Sequence, residues 1–154
     1  VTGVQTCALP IYKTIAKKSM SRIPVFGWIY SFGSVLVDRN DENSRRKSYD
    51  EMKQMLAYGL DMLIYPEGTR NRTGKPLREF HNGAFRLAKD TGKPVLPAIM
   101  FNSAKALPPS KIFYLWPSQL RLEFLPPQQS NNLSAEELKE KVFREMWDYF
   151  EANQ

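Results

Sequence analysis

Apolar residues come in short runs along this chain, and the spacing within each run changes from one segment to the next. Val35-Leu36-Val37, inside residues 34–38, is a β-branched run that suits a buried strand, and the polar string after Arg39 ends it. Over residues 44–58 the apolar positions Tyr49, Met52, Met55 and Leu56 fall on one face of a helix, with Gly59 as its stop. Met62-Leu63-Ile64-Tyr65 predicts a strand closed by Pro66, and a polar loop runs on through Arg70 to Arg78. A second helix is predicted over residues 83–91, with Ala84, Leu87 and Ala88 inward and Gly92 at its end. Residues 94–101 predict a buried strand. In residues 119–125, Leu120, Leu122 and Phe124 alternate with Gln119, Arg121 and Glu123, the period of a half-exposed strand.

The last helix is the best specified. Ser134 and Glu137 form a capping box, Leu133 and Leu138 are spaced for a hydrophobic staple, and Leu138, Val142, Met146, Trp147 and Phe150 share one face. Strands alternating with helices predict an α/β domain.

Composition narrows this picture. A chain of 154 residues, 42% apolar and 25% charged, has the size and mix of one globular domain. Its net charge of +6 favours an anionic partner without choosing among nucleic acid, a phosphorylated metabolite and an acidic membrane surface. One cysteine, Cys7, excludes an internal disulfide, and one histidine, His81, leaves no Cys/His cluster for zinc. No apolar stretch approaches the roughly 20 residues of a spanning helix, so membrane contact by these residues is expected to be peripheral. Ile23 to Tyr30, with Lys17, Lys18 and Arg22 beside it, reads equally as a surface resting on an anionic bilayer and as core; Phe113 to Trp116 reads as core.

The chemistry concentrates at Tyr65-Pro66-Glu67-Gly68-Thr69-Arg70. A strand end followed by this turn presents a carboxylate, a hydroxyl and a guanidinium together. Arg70 can hold two phosphate oxygens with its planar fork, Gly68 lets a ligand approach the backbone, and Glu67 is expected to accept from Arg70 or Arg39. Read on residue types alone, the same turn is also an ordinary polar loop with a Glu67–Arg70 surface ion pair. Gly68 to Lys75 is not a P-loop, because its glycines are too far apart and Pro76 stands where a Ser or Thr is required.

Pro-Glu-Gly-Thr-Arg after a strand, a basic loop and the Gly83-Ala84-Phe85-Arg86-Leu87-Ala88 helix together resemble the glycerolipid acyltransferase superfamily, which includes the 1-acyl-sn-glycerol-3-phosphate (lysophosphatidic acid) acyltransferases. Gly33-Ser34-Val35-Leu36-Val37-Asp38-Arg39 resembles that family's second block, and Val95-Leu96-Pro97-Ala98-Ile99 its fourth. The resemblance implies an α/β fold with a mixed sheet flanked by helices. It implies that Arg39, Glu67, Gly68, Thr69 and Arg70 bind the phosphate of the acyl acceptor and that Pro97 shapes the acyl site. It further implies transfer of an acyl group from an acyl-CoA or acyl carrier protein thioester to lysophosphatidic acid, giving phosphatidic acid. No cofactor, no metal and no nucleic acid is expected, and the expected location is peripheral, at the cytoplasmic face of a membrane.

One family feature is missing. The catalytic histidine followed after four residues by aspartate does not occur: His81 is followed at the fifth position by Arg86, and it lies downstream of Glu67 where the pair would lie upstream. His81 therefore reads as a helix-start surface residue, and no catalytic residue is assigned. The pair would fall just upstream of Tyr12, where residues 1–11 have no clear period; they read as a junction segment foreign to the family. Residues 12–154 then read as a partial, N-terminally truncated acyltransferase domain. The alternative expectation is a catalytically dead module that binds a phosphate or an acidic lipid.

Overall fold

The computed structural model describes residues 12–22, 27–28, 33–38, 40–108 and 117–153. Arg39, residues 1–11, most of Ile23 to Tyr30 and the Phe113 to Trp116 run lie outside the described residues. The chain divides into two compact units, Val1–Tyr65 and Pro66–Gln154.

The first unit is a three-stranded parallel sheet in the order β2-β1-β3, formed by β1 (Tyr12–Lys17), β2 (Ser34–Val37) and β3 (Asp61–Leu63). The central β1 pairs Ile15 with Val35 on one side and Lys13 with Met62 on the other. Val35 and Val37 are buried, as the β-branched run predicts. β3 stops at Leu63, earlier than the apolar run through Tyr65 predicts; its pairing with β1 ends at Thr14↔Leu63, and Tyr65 is largely exposed.

Helix α1 (Glu42–Ala57) links β2 to β3. Asp41 caps it by accepting from the Asn43 N–H at 3.0 Å. At the other end Gly59 takes φ +82°, a conformation that would strain any side-chain-bearing residue, and the chain reverses there. The Leu60 N–H reaches the Met55 carbonyl and the Gly59 N–H that of Leu56, the paired bonds of a Schellman stop. Met52 and Leu56 are buried, while Tyr49 and Met55 flank them half-covered.

The second unit packs α2 (Gly83–Thr91) and α4 (Ala135–Ala152) on an antiparallel pair, β4 (Ala98–Phe101) and β5 (Arg121–Phe124), with the single-turn α3 (Ser103–Ala106) between the strands. The expectation of both strand senses in an α/β fold holds, but among the described residues the parallel and antiparallel pairings belong to separate sheets. Leu77, Phe80, Phe85, Ile99, Phe101, Leu125, Leu138, Val142 and Met146 make the core of this unit. Phe85 is the inward residue of α2 that the spacing of Ala84, Leu87 and Ala88 leaves out. Leu138 and Val142 are almost wholly buried, and each such side chain removed from water contributes about 1.5–3 kcal/mol.

The capping box forms as predicted: the Glu137 N–H donates to Ser134 Oγ at 3.2 Å and the Ser134 N–H to Glu137 Oε2 at 2.7 Å. These bonds hold the exposed Glu137 carboxyl below its ordinary pKa.

Two strand expectations need correction. Residues 94–101 are not buried on both faces: Pro97, Ile99 and Phe101 point inward, whereas Leu96 and Met100 are exposed. On β5 it is the apolar set, Leu120, Leu122 and Phe124, that is exposed. Of the polar set Glu123 is half-buried, and Arg121 and Glu123 reach the C-terminal end of α4. The Arg121 guanidinium lies 4.2 Å from the Phe101 ring centre and donates to the Asn153 carbonyl at 2.7 Å, while Glu123 accepts from the Tyr149 hydroxyl at 3.5 Å.

Candidate functional site

The signature turn begins at the first residue of the second unit, and two bonds pin its base. The Pro66 carbonyl accepts from the His81 N–H at 2.9 Å. Glu67 Oε2 accepts from the Arg78 N–H at 3.2 Å. Residues 67–80 thus close into a loop whose two ends are tied side by side. Between the ends Asn71 organises the chain locally, its Oδ1 accepting from both the Thr73 N–H and hydroxyl and its Nδ2 donating to the Lys75 carbonyl at 2.9 Å.

Glu67 is half-buried, and desolvation is the largest influence on it, raising its pKa above the ordinary 4.5. The Arg78 N–H and the Arg78 charge act in the opposite sense. The expected Glu67–Arg70 pairing is not formed. Glu67 turns to a backbone N–H eleven residues on, and Arg70 Nη2 donates to the Leu107 carbonyl at 2.9 Å. The ion pair that the polar-loop reading expects is therefore also not formed.

Gly68 takes φ +69°, so the turn depends on a residue without a Cβ. Thr69 and Arg70 follow it and are exposed. One guanidinium N–H is committed to the Leu107 carbonyl, just beyond α3, and this orients the side chain. An arginine has five N–H donors, so a fork remains for a doubly hydrogen-bonded anion.

The other site residues fall elsewhere. Pro97 is buried; its carbonyl accepts from the Leu125 N–H at 2.9 Å, and it lies between the Val95↔Gln128 bridge and β4. His81 is exposed two residues before α2, and its backbone N–H donates to the Pro66 carbonyl. Sequence reasoning missed Arg78 and Leu107. Both act through backbone groups, which residue identity does not reveal.

The profile of the family described as Acyltransferase matches residues 4–101, which takes in the whole signature turn, α2 and β4. The chain belongs to the acyltransferase family. It is 32% identical over 123 residues to a 1-acyl-sn-glycerol-3-phosphate acyltransferase of Chlamydomonas reinhardtii, covering 77% of this chain and 37% of that protein. To the enzyme of the same name from Escherichia coli (strain K12) it is 29% identical over 132 residues, 82% of this chain and 51% of that one. Among solved structures, the 1-acyl-sn-glycerophosphate (LPA) acyltransferase PlsC from Thermotoga maritima matches this acyltransferase fold with a TM-score of 0.76 at 25% identity, over 92% of this chain and 56% of that chain. The chain spans only part of the length of the curated relatives it matches.

Proposed function

We propose that this chain is the acceptor-holding part of an enzyme that acylates 1-acyl-glycerol-3-phosphate to phosphatidic acid. The observation that carries the reading is the exposed, oriented Arg70 fork on a turn whose base is fixed by Glu67 and Gly68. Arg70 pairs with the acceptor's phosphate, Thr69 supplies a hydroxyl beside it, and Glu67 and Gly68 set the shape of the turn. Arg39 and Pro97 carry the further roles that the family resemblance assigns them, a phosphate contact and the shaping of the acyl site. The relatives' names, which specify a monoacylated glycerol phosphate as substrate, support this acceptor.

In the reaction the free glycerol hydroxyl gives up its proton, its oxygen bonds to the acyl carbon, and the carbon–sulfur bond of an acyl-CoA or carrier-protein thioester breaks to release the thiol. A general base must take the hydroxyl proton, and His81 is no candidate because its ring has no aspartate at the family spacing. The phosphate clamp lowers the barrier by placement, which can supply several kcal/mol. No metal or further cofactor enters the scheme. The site works at the cytoplasmic face of a membrane by peripheral contact; no described helix is long and apolar enough to cross one.

The test is reconstitution. Joined to an upstream family segment carrying the His-x4-Asp pair, the chain is expected to transfer an acyl group to lysophosphatidic acid. A folded product that binds lysophosphatidic acid but transfers nothing would instead support the phosphate-binding module.

A further inference from the structure

A strained turn remote in sequence from the signature leads back to Arg70. Asn102, the residue after β4, takes φ +64°, and among the described residues it alone, apart from glycines, has a positive φ. At that angle a side chain crowds its own backbone, and asparagine tolerates it because its short amide finds a partner nearby. Here Asn102 Nδ2 donates to the Gln119 carbonyl at 3.1 Å. The bond ties the end of β4 to the approach to β5, next to the Phe101↔Arg121 pair.

The turn decides where the chain goes next. The Asn102 carbonyl accepts from the Lys105 and Ala106 N–H groups at 3.0 and 3.1 Å, which starts α3. Ala106 is buried and anchors this single turn to its unit. So short a helix has no stability of its own, and its direction follows from its two ends. At the far end Leu107 leaves the helical region, with φ −137° and ψ 81°, because the following Pro108 disfavours helical backbone there. Those angles aim the Leu107 carbonyl, which receives Arg70 Nη2 at 2.9 Å.

We propose that Asn102 and Pro108 are positioning residues for acceptor binding: together they fix the carbonyl that holds the Arg70 fork ready for a phosphate. The inference rests on the acceptor-holding reading above. Ordering a long side chain opposes binding, and a fork ordered in advance avoids that loss. Each residue acts through the Leu107 carbonyl and not by touching the acceptor. The signature motif therefore depends on a segment that carries none of its letters.

The test reads Arg70 itself, in the chain as it stands. Nitrogen-15 relaxation of the Arg70 Nε–H group, assigned by its loss in Arg70→Lys, gives an order parameter without any ligand. The native group is expected to be ordered, and Asn102→Ala and Pro108→Ala should each lower the value below about 0.6. Asn102→Gly accepts the positive φ and should recover most of the order. Should Asn102→Ala fail to fold, Pro108→Ala, which removes no hydrogen-bonding group, carries the same test.

Calorimetric titration with a short-chain, water-soluble lysophosphatidic acid then reads the consequence. Affinity should fall about threefold or more in Asn102→Ala and Pro108→Ala, and neither change should weaken it further in an Arg70→Ala background. A general loss of packing would act in both backgrounds. Native order at Arg70 in both variants, unchanged affinity where the order falls, or a loss that persists without Arg70 would overturn the positioning role and leave the acceptor reading intact. A native chain with an ordered Arg70 that binds no lysophosphatidic acid would sink the acceptor reading and this proposal with it.

Discussion

Glu67 and Arg70 stand three residues apart in one turn, yet the structure uses them in opposite ways. Glu67 turns back into its own unit, loses water and takes the Arg78 N–H; Arg70 stays at the surface and touches the rest of the unit through one carbonyl. The inner half of the signature is therefore a structural device, and the proposed binding role falls to the outer half. A family motif is read as a single unit, but its residues should separate cleanly when mutated: inner changes should lower stability, and outer changes should lower ligand affinity with the fold untouched.

The largest effect on stability is expected from Glu67→Ala. It leaves the Arg78 N–H without its acceptor in a half-buried loop, a loss of about 1–2 kcal/mol that chemical denaturation would register. A fully stable Glu67→Ala variant would remove the inner half from its structural role. Gly68→Ala comes next, at roughly 1 kcal/mol, because alanine must adopt φ +69°. Its acceptor affinity should follow the distortion of the turn and so fall as well.

Glu67→Gln keeps an oxygen for the Arg78 N–H and removes only the charge, so its effect is smaller and lies in the pH dependence. The folded-state pKa of Glu67 lies above its unfolded 4.5, so the folded chain holds this proton more tightly. Its contribution to stability is complete below the unfolded value and is lost as pH rises through the folded one. Glu67→Gln should thus gain Tm relative to the native chain as pH rises from the unfolded 4.5 through the raised folded-state value. A difference that stays flat across that range would contradict the burial assigned to this carboxyl.

The same contrast explains what the sequence could reveal. The capping box of α4 was readable because both partners, Ser134 and Glu137, are side chains at a fixed spacing. The glycine stop after α1 was readable because only glycine sits easily at a positive φ. On β5 the period was legible and the inward side was not. Leu120, Leu122 and Phe124 look like core, but Arg121 and Glu123 find partners on α4, and that outcome depends on a helix that begins more than ten residues later. The site shows the same limit. The motif predicts Arg70 as an exposed fork, whereas the group it bonds in the fold is a backbone carbonyl at Leu107 and the partner of Glu67 is a backbone N–H at Arg78. Any residue type can supply such groups, so no pattern of letters marks them.

The most direct test of the acceptor-holding role is Arg70→Ala in the reconstituted enzyme, with acceptor KM, donor KM and Tm measured together. The expected result is an acceptor KM raised about tenfold or more, the loss of a charge-assisted phosphate contact, with donor KM unchanged and Tm shifted by no more than about 2 °C. An unchanged acceptor KM would contradict the account, because the one oriented and exposed guanidinium of the signature turn would then have no part in holding the acceptor.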